Sequence, residues 1–567
     1  MSRITRRHFL KYGAGGGAFI ALPLAFQTRI AQAARPAGPI NGALLRKYVQ
    51  PLPVPGSGMV VADAVSPNAY AFTQRLIKRP LHPDLPATPL FAYDDGSGLT
   101  GQAGSFGMVI GARAGAPITM SVTNRISEYP AWIPVDTRLT PLGTAMRALT
   151  HLHGGFVSGE SDGNPMLHPN GFGDGETQYM TYPNQQAPTL LWFHDHALGA
   201  TRLNVFAGLA GAYLIRDSLD TGAEPNPIGL PGGPYEIPLV VQDRLFNADG
   251  TFHYPTSDIP GVTWIGEYFG DTMLVNGKVW PYLDVEPRMY RFRVLNGCNA
   301  RILGLDIDGV DMWQIGGDGG LFDVPVPMKR LVMAPAERAD VLVDFSRVAG
   351  KTLLMKNLKP ARPVTSPAPN LNQVMQIRVG TQVTSPGPAI VPLSLPGAKA
   401  SLPAPSVRRY FTLNEVDIDM ADWMLNVNGE PFDRLSPDII TTGSIEEWTY
   451  VNMTGDTHPM HLHLTMFQVI GRTPFNVEAY EEAYGDEGNV PGGHDPAPFA
   501  TGPMESPAPE ERGFKDTVKA NPGYFTTVRA RFDLPSGVHG PQKYVHHCHI
   551  VEHEDNDMMR GFSVQTA

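Results

Sequence analysis

Cysteine is almost missing: among 567 residues only Cys298 and Cys548 carry a thiol. At most one internal disulfide can form, so a disulfide-stapled framework is excluded. Charge is scarce as well. Asp, Glu, Lys and Arg make up 17% of the chain, below the usual quarter, and the formal net charge is −11. No basic patch stands out, which argues against nucleic acid as a partner. Glycine is plentiful at 60 residues but keeps no strict period, so collagen is excluded. Beyond residue 33 no hydrophobic run is long enough to span a membrane, and no stable span is expected. A hydrophobic content of 42% rules out wholesale disorder and suits several buried cores.

What the chain does hold is turn formers. Its 60 Gly and 54 Pro, with few charges, favour many short strands over long helices. Period-two alternation in Tyr290-Arg291-Phe292-Arg293-Val294 and in Val528-Arg529-Ala530-Arg531-Phe532 predicts strands with one buried face. Asn247-Ala248-Asp249-Gly250 reads as a hairpin turn. An apolar-x-apolar-x-Asn pattern recurs at residues 120–124, 292–296 and 448–452, ending in Asn124, Asn296 and Asn452. Those domain-sized intervals suggest three copies of one β-sandwich unit. Pro-rich linkers at 221–234 and 360–405 support units over 34–220, 221–385 and 386–567. Residues 489–511 read as a long surface loop of the last unit, a disordered insertion without function.

The first residues look like an address. Thr5-Arg6-Arg7-His8-Phe9-Leu10-Lys11 resembles a twin-arginine export signal. A short Gly-rich apolar stretch follows, then the small-residue cleavage pattern Ala31-Gln32-Ala33. Residues 1–33 are therefore expected to be a signal peptide read by the twin-arginine translocase. The mature protein is expected in the periplasm or outside the cell, with a monomer as the default.

The chemistry lies in histidine. Of 17 histidines, most fall in four tight groups: His151 and His153; His194 and His196; His458, His461 and His463; and the run from His546 to His553. Each group contains His-x-His, and on a strand residues two apart share a face. Four such pairs supply eight nitrogen ligands, more than one metal takes, so they imply a cluster. His547-Cys548-His549 adds a second centre: the histidines face one way and Cys548 the other. Cys548, His458 and His553 with a methionine make the ligand set of a blue-copper electron-transfer site. Met558 and Met559 both qualify by composition, and spacing alone does not choose. His549-Ile550-Val551-Glu552-His553 also matches a zinc-protease signature, but that needs one helix and leaves the other three groups unexplained. Cys298 has no evident metal partner and reads as a buried thiol.

These motifs resemble those of the three-domain multicopper oxidases, most nearly the bacterial spore-coat laccase, bilirubin oxidase and phenoxazinone synthase branch. The resemblance covers nearly all of the chain after residue 33. It includes Gly154-Gly155, Ser161-Asp162-Gly163, Tyr182-Pro183-Asn184-Gln185-Gln186, Thr201-Arg202-Leu203-Asn204-Val205, Gly316-Gly317-Asp318-Gly319 and Lys515-Asp516-Thr517-Val518. It implies an all-β chain of three cupredoxin-like Greek-key sandwiches holding four copper ions. Type 1 copper would be held by His458, Cys548 and His553 with Met558 axial, the family spacing from the cysteine selecting Met558. Type 2 copper would take His151 and His461. One type 3 copper would take His153, His194 and His549, the other His196, His463 and His547. The resemblance puts the trinuclear site between the first and last units and makes the middle one a spacer. It implies one-electron oxidation of a small aromatic reductant, phenols or aminophenols, coupled to reduction of O₂ to water. Glu554 and Asp162 would relay protons; Asp195, Asp555 and Asp557 are supporting candidates. Bilirubin oxidation, Cu(I) oxidation in copper tolerance and a non-enzymatic copper store are the alternatives. The 22 methionines are scattered, with residues 420–424 the nearest thing to a cluster, which weakens the Cu(I) reading.

Overall fold

The computed structural model describes residues 38–62, 64–98, 108–140, 143–361, 363–397, 401–419, 422–434, 437–485 and 489–566. The expected export signal and Met420 lie outside the described residues. Strands dominate; the described α-helices are the short Thr201–Ala207, Val477–Tyr484 and Val551–Asp555.

Six larger sheets form three cupredoxin-like sandwiches. The first pairs a four-stranded sheet (Thr88–Asp94, Ala69–Arg79, Ile118–Asn124, Thr177–Tyr182) with another (Val109–Arg113, Ala210–Arg216, Leu190–Asp195, Thr150–His153). The second pairs seven strands with five, and the third six with five. One rule recurs. Ala69–Arg79 lies parallel to Ile118–Asn124, Glu236–Arg244 to Met289–Asn296, and Val407–Asp419 to Ser444–Asn452. Parallel neighbours need a crossover rather than a hairpin, which gives the Greek-key connection.

The repeated asparagine closes each unit in the same way. Asn124, Asn296 and Asn452 each end the second strand of these pairs. Their Oδ1 atoms accept from the N–H two residues on, at Ile126, Cys298 and Thr454 (2.8, 3.0 and 2.9 Å). Their Nδ2 atoms each donate to two backbone carbonyls, Asn296 to Arg301 and Met333 and Asn452 to Asp456 and Ala520. The side chain thus satisfies backbone groups left over where a strand turns away.

Two expectations are corrected. Met289–Asn296 is buried on both faces, not one. Arg291 and Arg293 enter an ion cluster with Asp220, Glu236 and Asp340, so charged residues at polar positions are enclosed between units. Residues 489–511 do form a surface loop, exposed or half-buried along most of its length but anchored at points rather than a loose insertion. Val490 is fully buried with its carbonyl bound by Thr412, and Glu511 holds Arg472. The Asn247 turn is present, with the Asn247 and Thr251 backbones joined at 2.8 Å.

Candidate metal centre

Four strands carry the histidine groups: β1 (Thr150–His153), β2 (Leu190–Asp195), β3 (His458–Leu462) and β4 (Gln542–Cys548). β1 and β2 are antiparallel neighbours with His151 opposite His194 and His153 opposite Trp192, so all four side chains share a face. β3 and β4 pair with His461 opposite His547 and Met460 opposite Cys548. Alternation divides both strands. Tyr544, His546 and Cys548 enter the third core, whereas His547 and His461 turn toward β1 and β2. His196, His463 and His549 follow directly on β2, β3 and β4, and the short helix α1 (Val551–Asp555) carries His553.

The predicted residues come together in two buried places. In the larger, donor atoms of His153, His194 and His549 lie within 4.8 Å of one another, as do those of His196, His463 and His547 and those of His151, His153 and His461. In the smaller, His458, Cys548 and His553 converge, with Cys548 Sγ 3.6 and 3.8 Å from the two Nδ1 atoms. His549 and His553 fall in different places and α1 excludes His549, so the zinc-protease geometry is not formed. Met558 packs in the same core cluster as Cys548 and its carbonyl accepts from the Cys548 N–H at 2.9 Å. Met559 sits opposite His547, on the other face of the strand pair.

The protonation pattern fits a cation. Nδ1 of His194 donates to the Asp195 carbonyl (2.8 Å), that of His461 to the Asp516 carbonyl (2.9 Å), and that of His463 to Asp162 Oδ2 (2.7 Å). His151 Nδ1 is bound by the Asp162 carbonyl. The far nitrogens then carry lone pairs, and they point at each other. Nε2 of His547 is 3.2 Å from that of His463 and 3.3 Å from that of His196; Nε2 of His549 is 3.4 Å from that of His194. His151 Nε2, His461 Nε2 and His153 Nδ1 have no hydrogen-bond partner although buried. Burial lowers the pKa of His151, His153, His196, His461, His463 and His549 well below the usual value, and that of His194 to about 4. Neutral rings with converging lone pairs are a ligand set, held in register by the oxygens behind them. Burial pushes the Cys548 thiol up, so a thiolate there needs a cation beside it.

The acids take distinct places. Asp162 is fully buried and burial raises its carboxyl pKa. Glu554 is 3.2 Å from Nδ1 of both His196 and His547, with neither oxygen aligned for a hydrogen bond. Asp195 accepts from the Leu149 and Ala197 N–H groups, fixing the chain on either side of its histidines. Asp555 accepts from the N–H groups of Thr201 and Arg202 across the unit boundary. Asp557 accepts from the Phe432 N–H at 3.3 Å. Cys298 is a buried free thiol, as expected.

Several contributors were not singled out from the sequence. Trp192 lies against three rings, its centroid 4.2 Å from His194, 5.4 Å from His153 and 5.5 Å from His549. Asp516 and Thr517 touch His153 Nε2 at 3.1 and 3.2 Å. His546, grouped with His547 in the sequence, is by contrast not part of the site: it points the other way, among Phe411, Trp448 and Tyr450. The Lys515-Asp516-Thr517-Val518 motif was the available signal for the second of these.

Three cupredoxin-like sandwiches with an imidazole cluster and a thiol–imidazole site on one strand define a copper oxidoreductase. Family models described as multicopper oxidase match residues 144–220 and 403–567. A laccase of Bacillus subtilis (strain 168) is 33% identical over 92% of this chain and 99% of its own length. A laccase of Bacillus stratosphericus is 35% identical with the same coverage. The crystal structure of McoA multicopper oxidase from the hyperthermophile Aquifex aeolicus superposes with TM-score 0.71 at 25% identity, covering 92% of this chain and 100% of that one. The chain belongs to the multicopper oxidase family and is a laccase-like oxidoreductase.

Proposed function

We propose that the protein oxidises electron-rich phenols or aminophenols one electron at a time and delivers four electrons to O₂, forming two waters. The observation that carries this is Cys548: it faces the smaller site while its neighbours His547 and His549 face the larger one. Type 1 copper is assigned to His458, Cys548 and His553 with Met558, and type 2 to His151 and His461. The type 3 pair is assigned to His153, His194 and His549 and to His196, His463 and His547. Copper bound there would accept single electrons from substrate and pass them to O₂. The path between the two sites is the covalent one, from Sγ through the Cys548 backbone to either adjacent histidine. Asp162 and Glu554 serve the proton side. Asp162 Oδ2 holds the His463 Nδ1 proton while Oδ1, 3.5 Å from His151 Nδ1, has no hydrogen-bond partner, and both Glu554 oxygens keep lone pairs beside His196 and His547. Each can take a proton from one side and release it on the other.

A second reading, oxidation of Cu(I), rests on Glu415, whose carboxylate lies 3.9 Å from His458 Nε2. Copper-loaded protein should show an intense blue thiolate band, a near-ultraviolet type 3 shoulder and a separate type 2 paramagnetic signal. O₂ uptake should follow addition of a phenol. Uptake with Cu(I) but not with phenol supports the second reading; a colourless protein that refuses copper sinks both. Residues 1–33 are assigned as a twin-arginine signal, which places the mature monomer, with units 34–220, 221–385 and 386–567, in the periplasm or outside. In support, no described helix is long and apolar enough to cross a membrane.

A further inference from the structure

Eight buried charges run from the second sandwich and the edge of the third to the larger histidine site. Arg472 pairs with Glu511 at the far end, Nη1 to Oε2 2.6 Å. Lys519 spans Glu511 and Glu337 (3.5 and 3.1 Å), and Lys515 spans Glu337 and Asp318 (3.0 and 2.7 Å). Arg338 then spans Asp318 (3.5 Å) and Asp516, reaching Asp516 Oδ1 at 2.7 Å. Four cations thus face four carboxylates, all of them buried. Enclosing so many charges is poor as a means of stability, since apolar packing serves as well. What a closed ladder does provide is a fixed orientation for its last member.

That last member holds two rings. Asp516 Oδ1 is 3.1 Å from His153 Nε2 and accepts from Thr517 Oγ1 at 2.9 Å. The Asp516 backbone carbonyl accepts from His461 Nδ1 at 2.9 Å. The two imidazoles stack, centroids 3.6 Å apart and planes 14° from parallel. His153 is consequently reversed. It meets the site with Nδ1, whereas His151, His194, His461 and His463 spend Nδ1 on an oxygen and meet it with Nε2. The chain leaves room for this: Gly154 has φ +79°, and a Cβ there would fall 2.5 Å from Asp516 Oδ2 and 2.8 Å from Arg338 Nη2.

We propose that Arg338 and Asp516 are a positioning pair through which the second sandwich, itself without a ligand histidine, sets the ring orientation of His153 and His461. The proposal rests on the copper assignment above. Arg338 supplies a planar fork that fills both carboxylate oxygens, so the pair cannot rotate. The middle unit is then part of the oxygen site rather than a spacer.

The test compares Arg338→Met, Arg338→Lys and Glu511→Gln in the full copper-loaded chain. Copper per chain, the type 2 paramagnetic signal, the blue band and thermal unfolding of the copper-free protein are read together. Arg338→Met should weaken retention of copper at the His153 and His461 rings by about 10- to 100-fold, read as a weakened near-ultraviolet type 3 shoulder and a shifted type 2 signal, while the blue band stays. Arg338→Lys keeps the charge without the fork and should fold, with a smaller shift in the same direction. Glu511→Gln breaks the same ladder at its far end and should lower thermal stability without moving the type 2 signal. Wild-type spectra in the Arg338 variants, or an equal shift in Glu511→Gln, would overturn the proposal. A wild-type protein with no type 2 signal refutes the copper assignment instead, before any variant is made.

Discussion

Asp162→Asn separates proton handling from ring positioning, because the side chain and backbone of this residue do different things. The backbone carbonyl binds His151 and survives the substitution. An amide oxygen can still accept from His463 Nδ1 at the 2.7 Å position, so that ring keeps its tautomer. What disappears is a buried, proton-accepting carboxylate whose second oxygen has no hydrogen-bond partner. A positioned acid–base group is worth about 10²- to 10⁴-fold, or roughly 3–5 kcal/mol of barrier. Stopped-flow kinetics can follow the two half-reactions apart. Bleaching of the blue band by a phenol under argon should run at the wild-type rate. Reoxidation of the reduced protein by O₂ should slow by about 10²-fold or more. An equal slowing of both halves, or a reoxidation change under about threefold, would refute the reasoning and leave Asp162 as a packing residue.

Met558→Leu removes the thioether beside Cys548 and should raise the type 1 reduction potential; an unchanged potential in redox titration would make the axial assignment wrong. Asp220→Asn breaks a buried cluster in which Asp220 binds Arg291 (2.7 and 2.8 Å) and Arg293 (2.8 Å), and should cost about 3–5 kcal/mol in thermal or denaturant unfolding. Burial raises the Asp220 pKa, but Arg293 and Arg291 overcome this and hold it well below the carboxylate range. Its stabilisation is therefore present above the unfolded value near 4 and is lost as pH falls toward the folded one, so the gap between wild type and variant should narrow in acid; a gap constant with pH would contradict this.

The ligand strands were legible because a β-strand alternates strictly. His-x-His on β1, and His-Cys-His at the end of β4, announce which side chains share a face before any packing is known. The recurring asparagine was legible for a related reason: a local hydrogen-bonding job at a strand end leaves a local pattern. The buried charges were not. Arg291 and Arg293 alternate with apolar residues just as solvent-facing arginines do, and only the apposition of Asp220, from the end of the first unit, and Asp340 encloses them. Asp516 was visible as part of a motif, but its role depends on Arg338, 178 residues earlier in the chain, and no spacing encodes that contact. The loop at 489–511 was misjudged because composition reports solubility, whereas its order comes from Glu511 meeting Arg472.

The larger histidine site also changes how the chain is fastened. His196 and His547 face each other across 351 residues of sequence. A cation shared by such rings ties off a loop of that size, and the chain-entropy relation for a cross-link gives about 6 kcal/mol. Cys298 and Cys548 are both free and cannot supply a covalent tie. Copper would then be a detachable clasp between the two ends of the polypeptide. How long the fold resists heat or proteases would follow the copper available to it, tightening in metal-rich surroundings and letting go when metal is withdrawn.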